Sequence, residues 1–77
     1  TYGYVLASAN QLEKAIIVFR LNTLGFPKDA NTFDSLGEAY KENGQHELAI
    51  INYEKALELD PESKTAKEML AELRALN

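Results

Sequence analysis

The feature that most constrains this chain is an internal repeat with a period of 34 residues. The matched pairs are Gly3 and Gly37, Ala15 and Ala49, Ile16 and Ile50, Ile17 and Ile51, Phe19 and Tyr53, and Pro27 and Pro61. A fixed period in this range indicates a repeat protein, in which each pair of helices buries its apolar face against its neighbours. No segment shows the alternation of a strand, so the sequence predicts stacked helix pairs.

The second unit carries the residues that explain how such helices pack. Four of them share one helix face because they follow at i, i+3, i+4 and i+7: Phe33, Leu36, Gly37 and Tyr40. Gly37 costs about 1 kcal/mol of helix propensity relative to alanine, which we explain by a close approach of the following helix. Ala49 and Ala56 supply the matching small residues, and Phe33 and Tyr53 are expected to fill the space between helix pairs.

This pattern resembles the W-x2-L-G-x2-Y signature of tetratricopeptide repeats, and Ala49, Tyr53, Ala56 and Pro61 match its second half. The resemblance covers nearly the whole chain and implies an all-α fold that acts as a protein interaction module. We expect about one and a half repeats and a capping helix. The expected parts are a partial first repeat at 1–29, a complete repeat at 30–63 and a C-terminal capping helix at 64–77.

Caps and turns predict the helix boundaries. We expect the first helix to end in a turn at Ser8-Ala9-Asn10, and a second helix to run from Asn10 to about Leu24. Further helices are expected at about 31–43, from 45 or 47 to 59, and at 64–76, with Asp29 or Asn31 and Ser63 as N-caps.

The last helix departs from the repeat in a way that indicates the end of the array. Lys67 and Arg74 stand where Phe33 and Tyr40 stand in the complete repeat, and charged residues there would not receive a further repeat. A terminal repeat needs a polar outer face. The residues expected to face inward are Ala66, Met69, Leu70, Leu73 and Leu76.

Composition excludes several classes of function. A net charge of -4 in 77 residues argues against a nucleic-acid-binding surface, which needs clustered Lys and Arg, and favours basic or neutral partners. No apolar run approaches the roughly 20 residues that a membrane span needs. The chain has no cysteine and therefore no disulfide or thiolate metal site.

Catalytic and metal motifs are also missing from the sequence. His46-Glu47 begins like the H-E-x-x-H zinc motif, but Ile50 occupies the position of the second histidine. Neither Ser-x-x-Lys nor Gly-x-Ser-x-Gly occurs. We therefore expect no enzymatic activity, no metal and no cofactor.

The concave side of stacked first helices is the candidate binding surface. The residues off the packing stripe that would line it are Tyr4, Asn31, Asp34, Glu38, Lys41, Glu42, Thr65, Glu68 and Glu72. Relatives that grip an acidic peptide terminus place Lys, Arg and Asn at such positions, whereas these are mainly acidic. The surface is expected either to be a solvated face or to bind a basic peptide.

The first repeat presents a second candidate surface. Ile17, Val18, Leu21 and Leu24 form an apolar face, whereas the second repeat has Asn52, Lys55 and Glu58 at the positions of the last three. An exposed patch of this kind marks an interaction or aggregation site. It is expected to be covered by the rest of the first repeat, by a separate domain or by a second copy.

A narrower resemblance suggests which domain that is. The chain is similar to the tetratricopeptide tails of some bacterial serine hydrolases, both β-lactamase-like and α/β-hydrolase-like. The residues that carry this likeness are Gly3-Tyr4-Val5-Leu6, Ala15-Ile16, Phe19, Leu21-Asn22, Phe26-Pro27 and the run from Asp34 to Tyr40. The resemblance implies an accessory tail after a catalytic domain and places no catalytic residue in this chain.

Overall fold

The structure, a computed structural model, describes residues 2–76 and, from residue 11 onward, their side chains. Four α-helices follow one another along the chain: α1 (Tyr2–Gly25), α2 (Ala30–Glu42), α3 (His46–Leu59) and α4 (Lys64–Ala75). No strand occurs among residues 2–76, which confirms the predicted all-α class. Each helix packs against the next one in sequence, and the most extensive contact joins α2 and α3.

Side-chain caps define the starts of two helices. Asp29 precedes α2, and its Oδ1 accepts a hydrogen bond from the Asn31 N–H at 3.0 Å. Ser63 precedes α4, and its Oγ accepts one from the Ala66 N–H at 3.3 Å. Such caps satisfy N–H groups that the first turn of a helix leaves without a partner. The predicted α2, α3 and α4 are confirmed, with small differences at their ends.

The turn predicted at Ser8-Ala9-Asn10 is wrong, because α1 runs without interruption from Tyr2 to Gly25. The equivalent turn between α2 and α3 is made at Gly44, whose φ of 77° lies in the left-handed region. Glycine adopts this conformation without a steric penalty. The first repeat has Asn10 at that position. Entering the left-handed region costs asparagine more free energy than it costs glycine, whereas remaining helical costs asparagine less.

The core lies between α2, α3 and α4, with Tyr53 at its centre. Tyr53 is 2% exposed and packs on Gly37, where an added Cβ would lie 3.1 Å from the ring carbons Cδ2 and Cε2. The close approach predicted at Gly37 is therefore made by an aromatic ring of the following helix. Ala49 and Ala56 are fully buried beside it. Phe33, which was expected to fill the core with Tyr53, is only half-buried because it lies in the first turn of α2, at the edge of the core.

The last helix buries its apolar side against α3 through Ala66, Leu70 and Leu73. Leu76 was expected to face inward but is 61% exposed, because α4 ends at Ala75. Lys67 and Arg74 are exposed, and Arg74 Nη2 donates a hydrogen bond to Glu54 Oε2 of α3 at 2.7 Å. The helix α4 therefore carries charged residues beside its packed side, and its role as a capping helix stays a prediction.

Candidate partner-binding surfaces

We use the name acidic face for the carboxylates predicted to line the concave side: Asp34, Glu38 and Glu42 on α2, and Glu68 and Glu72 on α4. Lys41 joins the two helices here, because its Nζ lies 3.4 Å from Glu72 Oε1 and 3.3 Å from Met69 Sδ. Glu72 offsets the charge of Lys41, so the surplus charge of the face is negative.

Four of these carboxylates lie close enough to Tyr53 of α3 to affect its pKa. Burial raises the pKa of Tyr53 to about 12, and the negative charges of Glu38, Asp34, Glu42 and Glu72 add to the shift. Carboxylates oppose the formation of another anion chiefly at short range, because solvent and salt screen the repulsion. Four acidic residues from two helices therefore act together on the ring between them.

Asp34 is the acidic residue whose environment suits its charge least. Its side chain is half-buried, and the buried Oδ1 has no hydrogen-bond partner. Burial raises the pKa of Asp34, and the carboxylate of Asp60 raises it further. A buried oxygen without a donor costs free energy.

The remaining predicted residues of the concave side have differing roles. Asn31, Thr65 and Glu68 are exposed, and the Asn31 backbone N–H serves in the cap of α2. Tyr4 belongs to residues 1–10, whose side chains lie outside the described part of the chain. Its place on the surface stays a prediction.

The apolar patch of α1 is exposed. Ile17, Val18, Leu21 and Leu24 are between 53% and 78% exposed. Ile17, Leu21 and Leu24 also line a depression of about 140 Å³ with Arg20. At the equivalent positions of α3, Ile51 is also exposed, but Asn52, Lys55 and Glu58 follow. The continuous apolar character is therefore particular to α1.

A third surface, which the sequence reasoning missed, is the groove between α1 and α2. It encloses about 250 Å³ and is lined by Leu12, Ala15 and Phe19 of α1 and by Ser35, Glu38, Ala39 and Glu42 of α2. The equivalent positions of the second repeat lie on α3 and α4 and are covered by α2. Gly37 packs on Tyr53, and Lys41 contacts Met69 and Glu72. The sequence did contain a signal for this groove. The 34-residue period equates Phe19 with Tyr53, and because a helix covers Tyr53, the period predicts that a helix covers Phe19 as well.

Within residues 2–76, no three His, Asp or Glu side chains are grouped so that they would hold a metal ion. His46 is half-buried in the first turn of α3. None of the four described helices is both long enough and apolar enough to cross a bilayer.

Part of α2 and all of α3 match a known protein family in sequence. Residues 35–63 match the family model described as tetratricopeptide repeat. The chain contains a tetratricopeptide repeat. The matched residues include both Gly37 and Tyr53, so the close contact in the core lies inside the repeat. Tetratricopeptide repeats present extended surfaces to other proteins, so this match supports a role in protein interaction.

The tetratricopeptide chain is similar to segments of much longer proteins. It is 34% identical over 71 residues to superkiller protein 3 of Schizosaccharomyces pombe, covering 92% of this chain and 5% of that protein. It is 36% identical over 61 residues to cellulose synthase operon protein C of Escherichia coli, covering 79% and 5%. It is 36% identical over 76 residues to the human protein O-mannosyl-transferase TMTC1, covering 99% and 9%. The chain thus spans less than a tenth of each of these relatives.

Proposed function

We propose that this chain is a non-catalytic binding module whose acidic face takes a protein or peptide segment that carries lysine or arginine. The observation that carries the proposal is the half-buried Asp34, whose Oδ1 has no hydrogen-bond partner and whose pKa is raised by burial. A partner's ammonium or guanidinium group at the part of this carboxylate that remains accessible would supply the opposite charge.

The charges around Asp34 support a basic partner. Glu38, Glu42 and Glu68 form no ion pair within residues 11–76, whereas Lys41 is already paired with Glu72. An acidic peptide terminus would meet these carboxylates and would be repelled. The same repulsion separates this face from the basic grooves that clamp a peptide carboxylate.

The transferase named among the relatives does not argue against a non-catalytic role. That name belongs to a whole protein of which this chain matches 9%. The sequence of this chain has neither a Ser-x-x-Lys nor a Gly-x-Ser-x-Gly nucleophile motif. A binding role therefore fits the residues better than a catalytic one.

The experiment that tests the proposal is titration of the chain with two peptides of equal length, one rich in Lys and one rich in Glu. We expect the Lys peptide alone to bind, with an affinity that falls as salt is raised from about 0.05 to 0.3 M. Asp34→Asn should weaken binding by at least about fivefold, because a charge-assisted contact becomes neutral.

Glu47→Gln is the matched control, because it removes one negative charge from an exposed position of α3 outside the acidic face. Equal losses in Asp34→Asn and Glu47→Gln would show that net charge alone attracts the peptide. Binding of both peptides with no dependence on salt would contradict the proposal.

A second candidate function is supported by the exposure of the apolar patch. In this role the chain is an accessory tail whose Ile17, Val18, Leu21 and Leu24 pack on an upstream catalytic domain of the serine hydrolase type, or on a second copy. Contacts of this kind would depend weakly on salt. Chemical-shift mapping with the upstream domain, or over a concentration series, tests it, since perturbations at Leu21 and Leu24 without changes at Asp34 would favour the tail.

A further inference from the structure

We infer that two copies of this chain associate through their α1 helices, which lie antiparallel so that Glu13 of each copy pairs with Arg20 of the other. The inference rests on the second candidate function, in which the apolar patch packs on a second copy. It adds the direction of the two helices, the position of the twofold axis and the charged residues that select this arrangement.

The contact surface is a depression of about 390 Å³ beside α1. Four residues of α1 line it: Glu13, Ile16, Ile17 and Arg20. Ile17 and Arg20 also line the smaller depression of about 140 Å³ that includes Leu21 and Leu24, so the two depressions adjoin. An apolar strip with charged residues at its edge therefore runs along an accessible side of α1.

The exposure of the larger depression does not depend on what precedes α1. Besides α1, it is lined by Tyr40 of α2, Leu48 of α3 and residues of the turn between these two helices. In a repeat array each unit contacts its two neighbours on opposite sides, so a preceding repeat would stack on the side of α1 away from α3. A helix in this depression is therefore not one that the 34-residue period assigns to the array.

The two charges of this face lack partners. Glu13 and Arg20 are exposed, and neither forms an ion pair within residues 11–76. They are seven residues apart, so they lie on one face of α1 and about 10.5 Å apart along its axis. In the second repeat the residue equivalent to Arg20 is Glu54, which pairs with Arg74 at 2.7 Å. The residue equivalent to Arg74 is Tyr40, which brings no carboxylate to Arg20.

An antiparallel arrangement of two α1 helices satisfies both charges at once. With a twofold axis midway between Glu13 and Arg20, the same ion pair forms twice. A parallel arrangement in register would instead place like charges opposite each other, which is unfavourable. The two charges therefore select the antiparallel direction.

Apolar contact at the axis supplies the driving force. Ile17 lies next to the axis, so it packs on Ile17 of the second copy, and its 56% exposure shows how much surface remains to be buried. Exposed ion pairs contribute little free energy of their own. In this dimer the apolar contact therefore provides affinity, and Glu13 and Arg20 provide the orientation.

The test measures dimerisation of the 77-residue chain by sedimentation equilibrium, with the melting temperature of each variant as the control for folding. Arg20→Glu alone should raise the dimer Kd about tenfold or more, because two ion pairs become two repulsive contacts. Glu13→Arg combined with Arg20→Glu in one chain should return the Kd to within about threefold of the parent, since each pair is only inverted. Lys67→Glu makes the same change of charge at an exposed position of α4 and should leave the Kd nearly unchanged.

A mixture of the two single variants provides a second readout. On this face Arg20→Glu has two carboxylates and Glu13→Arg has two cations, so each variant repels its own copies and attracts the other variant. An equimolar mixture should therefore form more dimer than either variant alone at the same total concentration.

Single cysteines report the direction of the helices, because the chain has no cysteine of its own. Ile17→Cys should form a disulfide-linked dimer under mild oxidation, since its two copies meet at the axis, within the roughly 7 Å between Cα atoms that a disulfide can span. Leu24→Cys should not, because its two copies would lie about 22 Å apart along antiparallel helices. Equally fast cross-linking at both positions would show a parallel pair and would overturn the inference.

Three further results would also overturn it. The first is a chain that stays monomeric up to about 1 mM, and the second is an equal rise in Kd for Arg20→Glu and Lys67→Glu. The third is a folded double variant whose Kd stays as high as that of Arg20→Glu. If the chain dimerises and Leu24→Glu abolishes the dimer while the charge variants have no effect, packing through the apolar patch stands and this arrangement fails. Binding of a basic peptide near Asp34 is tested separately by the peptide titration and does not depend on these results.

Discussion

The helices α1 and α3 occupy equivalent places in successive repeats, yet their matched residues have different surroundings. On α3, Tyr53 is 2% exposed because α2 and α4 both pack against this helix. On α1, the equivalent Phe19 is half-buried, since its main described neighbour is α2. A repeat position therefore acquires its burial from the neighbouring helices, and the residue type alone does not decide it.

The solvent-facing sides of α1 and α3 differ in polarity. The positions that are Leu21 and Leu24 on α1 are Lys55 and Glu58 on α3, and these two form an ion pair at 3.7 Å. The less covered helix thus also carries the more apolar outer side. Both differences concentrate candidate binding surface on α1 and leave α3 as the structural centre.

The largest expected effect comes from removing the two equivalent aromatic rings. Tyr53→Ala should destabilise the fold by roughly 3 to 5 kcal/mol, because it removes a fully buried ring and leaves a cavity beneath Gly37. Phe19→Ala should cost about half as much, since part of its ring is already in water. Urea denaturation followed by circular dichroism measures both. Equal losses would show that the surroundings of α1 and α3 are equivalent in solution.

A smaller effect is expected at the glycines of the two repeats. Gly37→Ala places a Cβ 3.1 Å from the Tyr53 ring, and the overpacking cost of about 1 to 3 kcal/mol equals or outweighs the gain in helix propensity of about 1 kcal/mol. Gly25→Ala, at the end of α1, meets nothing within 4 Å and should be neutral or slightly stabilising. Thermal unfolding distinguishes them, and a stabilising Gly37→Ala would mean that the ring yields freely.

Tyr53 should also make stability depend on alkaline pH, which its counterpart Phe19 cannot do. Its pKa rises from 10.0 to about 12 in the folded chain, so the unfolded chain loses this proton first as pH rises. The contribution of protonated Tyr53 to the free energy of unfolding is therefore fully present below pH 10 and is lost progressively between pH 10 and pH 12. Tyr53→Phe is the control, and in denaturant titrations its stability should fall less over this range. Parallel pH profiles would contradict the assignment.

The sequence predicted the parts of this fold in which local signals and the repeat agree. Asp29 and Ser63 marked the starts of α2 and α4, Gly44 marked the turn after α2, and Gly37 marked a close contact. Local signals failed at Asn10, because its capping potential competed with the ability of the stretch from Ser8 to Gln11 to continue as helix.

Tertiary properties were harder to predict. Phe33 and Tyr53 were both expected to fill the core, but Phe33 lies in the first turn of α2 and is only half-buried. The identities of the acidic residues could be read from the sequence, but the unpaired oxygen of Asp34 depends on its surroundings in three dimensions. The α1–α2 groove needed both the period and the observation that α2 fills its counterpart.

The smallest change in stability is expected from substitutions in the apolar patch of α1, although these should have a large effect on association. Leu21→Lys with Leu24→Glu gives α1 the outer residues of α3, and exposed substitutions of this kind change stability by no more than about 0.5 kcal/mol. Because the apolar patch would be interrupted by charge, any self-association or packing through it should disappear. Sedimentation velocity over a concentration series checks this, with melting temperature as the control for folding. If the parent chain associates and the double variant associates equally, the contact lies elsewhere, and the α1–α2 groove becomes the surface to examine with Ala15→Arg.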